Sequence, residues 1–249
     1  MKNLRIRKSV YALTDQEILD IRIAFDDIFE DSLAEYLIFS DILENEGHAS
    51  ATDLNFLTWN RAFFLSFEDF LLTKNPNLFL PYWNYTSQEA ISKGMPKLFS
   101  DPIYVPNGGK DLKANPLFRD TTQRLCTSRD YDNSETEGLT EARRRSIFAL
   151  EAKDYTSFNK RIWLMDATAH VWIGGTMTQV PIATLDPLFW FIHCNLDRFW
   201  WKFQQDEEMN ETIPDPVLNT ELIPFKNDEG FLLGKDVIHT KPLGYTYLR

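Results

Sequence analysis

Apolar positions at helical spacing organise most of this 249-residue chain. Thr14-Asp15-Gln16-Glu17 has the spacing of a capping box, and Ile18, Ile21, Ile23 and Phe25 follow it. That pattern predicts a first helix of about four turns. Residues 31–42 read as a second helical stretch, ending in the polar run 44–50. A strongly aromatic and aliphatic segment, 56–73, predicts a third, stopped by Asn75-Pro76-Asn77. Between residues 86 and 140 periodicity fades. Pro96, Pro102, Pro106, Gly108, Gly109 and Pro116 interrupt that span, and loops of such length are functional or mobile more often than not. Helix is predicted again near Thr140 and from Asn159 to Trp172, where Gly174-Gly175 ends it. Asp186-Pro187 opens the next, with Asp as N-cap and Pro at the first helical position, running to Gln205. The Pro-punctuated tail is expected to wrap the surface. Together these segments predict a mainly α single domain over 1–249, with a helical bundle able to hold a site between facing helices.

Composition narrows the function classes. Hydrophobic residues make up 43% of the chain and aromatics 14%, enough for a thick packed core. A net charge of −11 argues against nucleic acid, whose phosphates need basic partners. No segment approaches about 18 consecutive apolar residues, so no membrane partner is expected. Met1 to Lys8 is basic without an apolar run behind it, which does not describe a secretory signal. Cys126 and Cys194 are too few for a disulfide framework. An intracellular, reduced setting follows as the expectation; the oligomeric state is left open.

Chemistry concentrates on two predicted helices. Asp166 and His170 stand four residues apart, so their side chains leave one helix on one face. Ile162, Trp163, Leu164, Met165 and Val171 surround them, and a carboxylate buried there needs a partner or a cation. His193 lies in Phe189-Trp190-Phe191-Ile192-His193, again apolar. Two histidines and a carboxylate suit one divalent ion. The alternative is a pair of core histidines beside an Asp neutralised by Arg161 or Arg198.

A family resemblance weighs on that choice. Asp186-Pro187-Leu188-Phe189-Trp190-Phe191-Ile192-His193-Cys194-Asn195-Leu196-Asp197-Arg198-Phe199-Trp200 resembles the second copper-binding signature of tyrosinases and molluscan hemocyanins. His170-Val171-Trp172-Ile173-Gly174-Gly175 is similar to the family's His-x-Trp-x-Gly-Gly. Phe56-Leu57-Thr58-Trp59-Asn60-Arg61 with Glu68 resembles the first copper signature, and Leu80-Pro81-Tyr82-Trp83-Asn84-Tyr85 a further family motif. Arg5-Ile6-Arg7-Lys8 and Leu243-Gly244-Tyr245-Thr246-Tyr247 resemble the two ends of a hemocyanin unit. The resemblance implies a tyrosinase/hemocyanin-like four-helix-bundle core with long irregular loops.

The same comparison exposes departures. The family's dicopper centre needs three imidazoles per ion, and this chain has 4 histidines, of which His239 falls outside every motif. Asn60 stands where the first site has a histidine; Ala51 and a position near Ser40 fall at the others, with His48 close by. The first site therefore looks dismantled. In the second, His170 and His193 match ligands, while Asp166 replaces a histidine with another metal-binding group. That set implies one zinc ion, with iron(II) or copper as alternatives. Its space-filling counterpart would be a substrate pocket in place of the lost metal, walled by Phe56, Trp59, Phe63, Phe64 and Phe67. His48, Asn60, Ser40 and Asp41 are candidates there for polar contacts or proton transfer. One branch resembling this description is that of the fungal cyclopenases. They are similar in using zinc, without oxidation, to turn cyclopenin-type benzodiazepinedione epoxides into viridicatin-type quinolines and an isocyanate. The implied partner is a small aromatic alkaloid. Other readings are an iron(II) or single-copper oxidase or oxygenase acting on an aromatic or phenolic substrate, and a non-catalytic binding protein.

Overall fold

The computed structural model describes residues 4–48, 50–106, 111–118, 125 and 127–248. Ten α-helices lie in this described part: α1 (Asp15–Asp31), α2 (Leu33–Glu46), α3 (Phe56–Lys74), α4 (Gln88–Lys93), α5 (Lys97–Ser100), α6 (Glu137–Leu150), α7 (Tyr155–Ile173), α8 (Leu188–Phe203), α9 (Glu207–Glu211) and α10 (Asp215–Asn219). The predicted helices are all present, with ends shifted by a few residues. The Thr14–Glu17 capping box forms in both directions at the start of α1, satisfying donors that a helix start otherwise leaves unpaired. At α8 the backbone of Pro187 is already helical, and the Asp186 carboxylate accepts the Leu188 N–H at 2.9 Å.

Helices α3, α7 and α8 pack against one another, and α8 is buried along almost its entire length. Phe67 of α3 stacks on Trp190 of α8 with centroids 3.7 Å apart and planes 5° from parallel. Aromatic faces meeting so closely exclude water and lock the crossing of the two helices. Helix α7 stops at Gly174, whose φ of 72° favours glycine and where a Cβ would lie 2.8 Å from the Asp130 side chain.

The irregular span is pinned from within. Buried Arg129 reaches both carboxylate oxygens of Asp186 at 2.7 and 2.6 Å, and the carbonyls of Phe99 and Leu117 at 2.9 Å each. One guanidinium thus ties the loop to the start of α8. Cys126, and part of the loop expected between 86 and 140, lie outside the described residues.

The tail corrects an expectation. It does not merely wrap the surface: strand β1 (Arg5–Arg7) pairs in parallel with the final strand (Tyr245–Tyr247), and Tyr245 and Tyr247 are buried. Their hydroxyls donate to Asp197 at 2.8 and 2.6 Å. Arg7, with no exposed side-chain surface, joins Glu68 at 2.9 Å to Asp197 at 3.2 Å. Burial alone would raise both carboxyls, but Arg7 at Glu68, and Arg61 with Arg7 at Asp197, outweigh it and hold them below the usual range. No helix among the described residues is long and apolar enough to cross a membrane.

Candidate metal centre

The i, i+4 spacing on α7 places Asp166 and His170 on one face, and α8 brings His193 against them. Their donor atoms all lie within 4.8 Å of one another. His170 Nε2 is 2.9 Å from His193 Nε2 and 3.6 Å from Asp166 Oδ2, and His193 Nε2 is 3.9 Å from the same oxygen. Among the described residues this is the one group of three or more His, Cys, Asp or Glu side chains so arranged.

What surrounds the trio fixes its chemistry. His170 Nδ1 lies 2.6 Å from the Met177 carbonyl, an acceptor, so Nδ1 carries the proton and Nε2 presents its lone pair to the cluster. Such a backbone contact orients a metal-ligating histidine. Phe189 packs on His193 with centroids 4.0 Å apart, and Phe64 approaches the same ring at 5.5 Å. Burial lifts the Asp166 carboxyl from 3.8 to about 6, with His170 pulling the other way. Burial, then His170, pushes the His193 imidazole well below its ordinary value. Asp166 Oδ1 and His193 Nδ1 are buried without hydrogen-bond partners, and so is the Tyr85 hydroxyl, raised by burial and by the Asp166 charge. Arg161 and Arg198 do not neutralise Asp166; they donate instead to the Phe148 carbonyl and to Asn195 Oδ1.

The cluster opens into a cavity of about 200 Å³ lined by residues of α2, α3, α7 and α8 and of the turns between the last two. His48, Phe56 and Asn60 line it. Ser40 does not; its hydroxyl donates to the Pro181 carbonyl at 2.8 Å. Asp41 is exposed on α2 and is not at the cavity either.

The aromatic wall expected on α3 is corrected in the same way. Trp59 donates its ring N–H to the Ile223 carbonyl at 2.7 Å, and Phe63 and Phe67 pack against Trp190. Phe64 supports His193 rather than facing the cavity. These rings fill the helix interfaces because an empty volume between helices forfeits dispersion contacts. Trp163, Met177 and Phe189 form apolar wall instead. Trp163 was legible: positions 163, 166, 167 and 170 follow i, i+3, i+4, i+7 and share the face that carries the donors.

A pair of copper ions does not fit these residues. At the first-site positions Asn60 spends its amide N–H₂ on the Phe56 carbonyl at 2.6 Å, Ser40 is bonded as above, and Ala51 has no donor. A single cation does fit, since three donors converge and a buried carboxylate oxygen has no other partner.

Comparison with known proteins agrees with this architecture. The hemocyanin G-type, units Oda to Odg, of Enteroctopus dofleini is 25% identical over 244 residues, covering 90% of this chain but 8% of that one. The tyrosinase of Streptomyces lincolnensis is 23% identical over 248 residues, 85% of this chain and 86% of its own. The chain thus spans less than a tenth of the octopus hemocyanin. Among solved structures, the tyrosinase from Burkholderia thailandensis superposes with a TM-score of 0.81 at 18% identity, over 99% of this chain and 74% of that one. Deoxygenated hemocyanin from Rapana thomasiana gives 0.77 at 23%, over 99% and 70%. Proteins of this family normally bind copper. The model of the common central domain of tyrosinase matches residues 37–206, a span holding α3, α7, the whole donor trio and most of the chain, and to that family this chain belongs.

Proposed function

We propose that the protein is a mononuclear, zinc-dependent lyase that rearranges a benzodiazepinedione epoxide to a quinoline with loss of an isocyanate. The observation that carries the reading is the Asp166–His170–His193 cluster at a mostly apolar cavity, with no second set of ligands beside it among the described residues. A carboxylate among the donors makes the site harder and more anionic, which disfavours copper(I) and suits zinc. Bound there, zinc would polarise a carbonyl or epoxide oxygen and supply no electrons. The rearrangement needs none, because epoxide and products differ by no oxidant or reductant.

The chain's own residues do the rest. Met177 fixes the His170 ring, and Phe189 holds His193 in place. At about 200 Å³ the cavity is smaller than a pocket for a whole drug-sized ligand, for which roughly 300–1,000 Å³ is usual. It accommodates one aromatic ring next to the polar atoms that meet the metal. The remainder of the substrate lies across the mouth, on Val171 and Val180, which are 73% and 45% exposed. Asn60 lines the cavity, and the amide hydrogen it does not give to the Phe56 carbonyl is able to pair with a lactam carbonyl.

Elemental analysis of the purified protein tests the metal: about one zinc per chain and no copper is expected, and two coppers would overturn the reading. Anaerobic turnover of a cyclopenin-type epoxide, with isocyanate release, tests the reaction. The two-histidine, one-carboxylate set also supports a second reading, an iron(II) oxygenase acting on an aromatic substrate. One iron per chain with oxygen consumed in step with product would establish that alternative instead.

A further inference from the structure

We infer that His48 is the proton-transfer catalyst of this cavity and that Asp53, on the turn before α3, is its positioning residue. The inference rests on the lyase reading for its substrate, but its geometry stands apart from the metal ligands. His48 lines the cavity, as do Asp166, His170 and His193, and a space of about 200 Å³ is only a ring or so wide. A substrate filling it touches both groups.

The turn is built to hold one imidazole in one orientation. His48 Nδ1 lies 2.5 Å from Asp53 Oδ2. The other carboxylate oxygen accepts the Asn55 N–H at 2.8 Å, and the Asp53 carbonyl accepts the Asn159 amide at 2.8 Å. Trp59 backs the imidazole with centroids 5.7 Å apart. Burial would raise the Asp53 carboxyl, but hydrogen bonds from His48 and Asn55 outweigh it and keep the group below its ordinary value, hence ionised. An ionised carboxylate at Nδ1 places the proton of the neutral imidazole there, and Nε2 keeps its lone pair. No hydrogen bond occupies Nε2 among the described residues. The arrangement is the base-and-orienter pair of general acid–base catalysis.

The step it performs is balanced. The substrate's amide N–H breaks, the proton passes to His48 Nε2, and the electron pair stays in the contracting ring. As the isocyanate leaves and the quinoline becomes aromatic, Nε2–H returns that proton to the product. No proton or electron is gained or lost over the cycle. Ser40 and Asp41, outside the cavity, take no part, and Asn60 lacks a titratable group.

Two measurements test this. The first needs no substrate: long-range ¹H–¹⁵N correlation of the imidazoles, with His48 assigned by its loss in His48→Gln. The neutral ring is expected as the Nδ1–H tautomer, a preference lost in Asp53→Asn; an Nε2–H ring in the wild type overturns the inference. The second is kinetic, on the zinc-loaded enzyme with the epoxide. His48→Gln is expected to lower kcat by about 10²- to 10⁴-fold, with KM within about threefold and zinc content unchanged. Asp53→Asn should cost tenfold or more, also without loss of zinc. A His48→Gln enzyme within about threefold of wild-type kcat refutes the assignment, as does one that has lost its metal. If the wild type itself does not turn the epoxide over, the lyase reading fails, and the tautomer measurement still decides whether the dyad exists.

Discussion

Asp166 should stabilise this protein only when a cation is bound, and destabilise it otherwise. Its carboxyl is buried and raised from 3.8 to about 6, a difference of about 3 kcal/mol in folding free energy. The sign follows from proton linkage. Between pH 3.8 and about 6 the folded chain holds a proton that the unfolded chain has released, so this group's contribution to stability falls as pH rises through that window. Above about pH 6 the full cost is present. Replacing Asp166 with Asn removes the charge and preserves the shape. The metal-free variant is therefore expected to be more stable than metal-free wild type at pH 8, by up to about 3 kcal/mol, or about 6–12 °C in Tm for a chain of this size. At pH 4 the difference should largely vanish. His193 opposes this trend in both proteins, since its depressed imidazole costs stability as pH falls below its ordinary value. The difference between variant and wild type cancels that contribution.

Added zinc should reverse the order. A cation that binds only the folded wild type adds about 4 kcal/mol at a thousand times its Kd, and the variant, short of a ligand, gains little. The assay is a set of thermal melts of both proteins at pH 4 and pH 8, first with chelator and then with excess zinc. If metal-free Asp166→Asn melts at or below wild type at pH 8, burial is not what shifts this carboxyl. Equal stabilisation of both proteins by zinc would show that Asp166 is not a ligand.

Other parts of the structure make separate forecasts. Arg7→Met leaves Glu68 and Asp197 buried without a shared counter-charge and should cost about 3–5 kcal/mol by chemical denaturation; a loss under about 1 kcal/mol would mean that the terminal strand pair is not held by this network. Val171→Asp, at a position 73% exposed, should leave the melting temperature within about 2 °C while raising KM for an apolar substrate several-fold. An unchanged KM would remove Val171 from the cavity mouth. Tyr85→Phe deletes a buried hydroxyl that has no hydrogen-bond partner, so it should be neutral or stabilising by about 1–3 kcal/mol. Measured destabilisation would reveal a partner for that hydroxyl in solution.

Helices were legible here because their signals are local. The Thr14–Glu17 box, the Asp186-Pro187 start and the Gly174 stop are each decided within a few residues, and each is where the pattern puts it. The Asp166–His170 spacing is equally local, and His193 could be added because the second signature surrounds it. What failed were inferences about which way a side chain faces across the molecule. Trp59, Phe63 and Phe67 belong to a helix that is buried on every side from Phe56 to Phe64, so a helical period does not tell which neighbour each ring meets. Only the crossing with α8 determines that Phe67 meets Trp190 and not a substrate. The buried role of the tail was hidden for a related reason. Arg7, Glu68, Asp197 and Tyr247 lie up to 240 positions apart, and their pairing exists only once both chain ends meet in one sheet.

The departures from the family pattern bear on one another, and that is the strongest ground for a site and not a relic. A metal site that had merely decayed would be expected to keep only apolar side chains or polar groups satisfied by their own neighbours, because unpartnered polar groups in the interior cost about 1–3 kcal/mol each. The first-site positions did follow that course: Asn60 turned its amide onto its own helix, Ser40 onto Pro181, and Ala51 carries nothing. The second did not. It holds a carboxylate that is costly without a cation, an imidazole pushed down by burial, and a second imidazole still oriented by Met177. Along the same cavity a histidine outside the family's ligand positions is paired to an ionised aspartate. Stability explains none of these placements, whereas one cation beside one proton-transfer pair explains all of them.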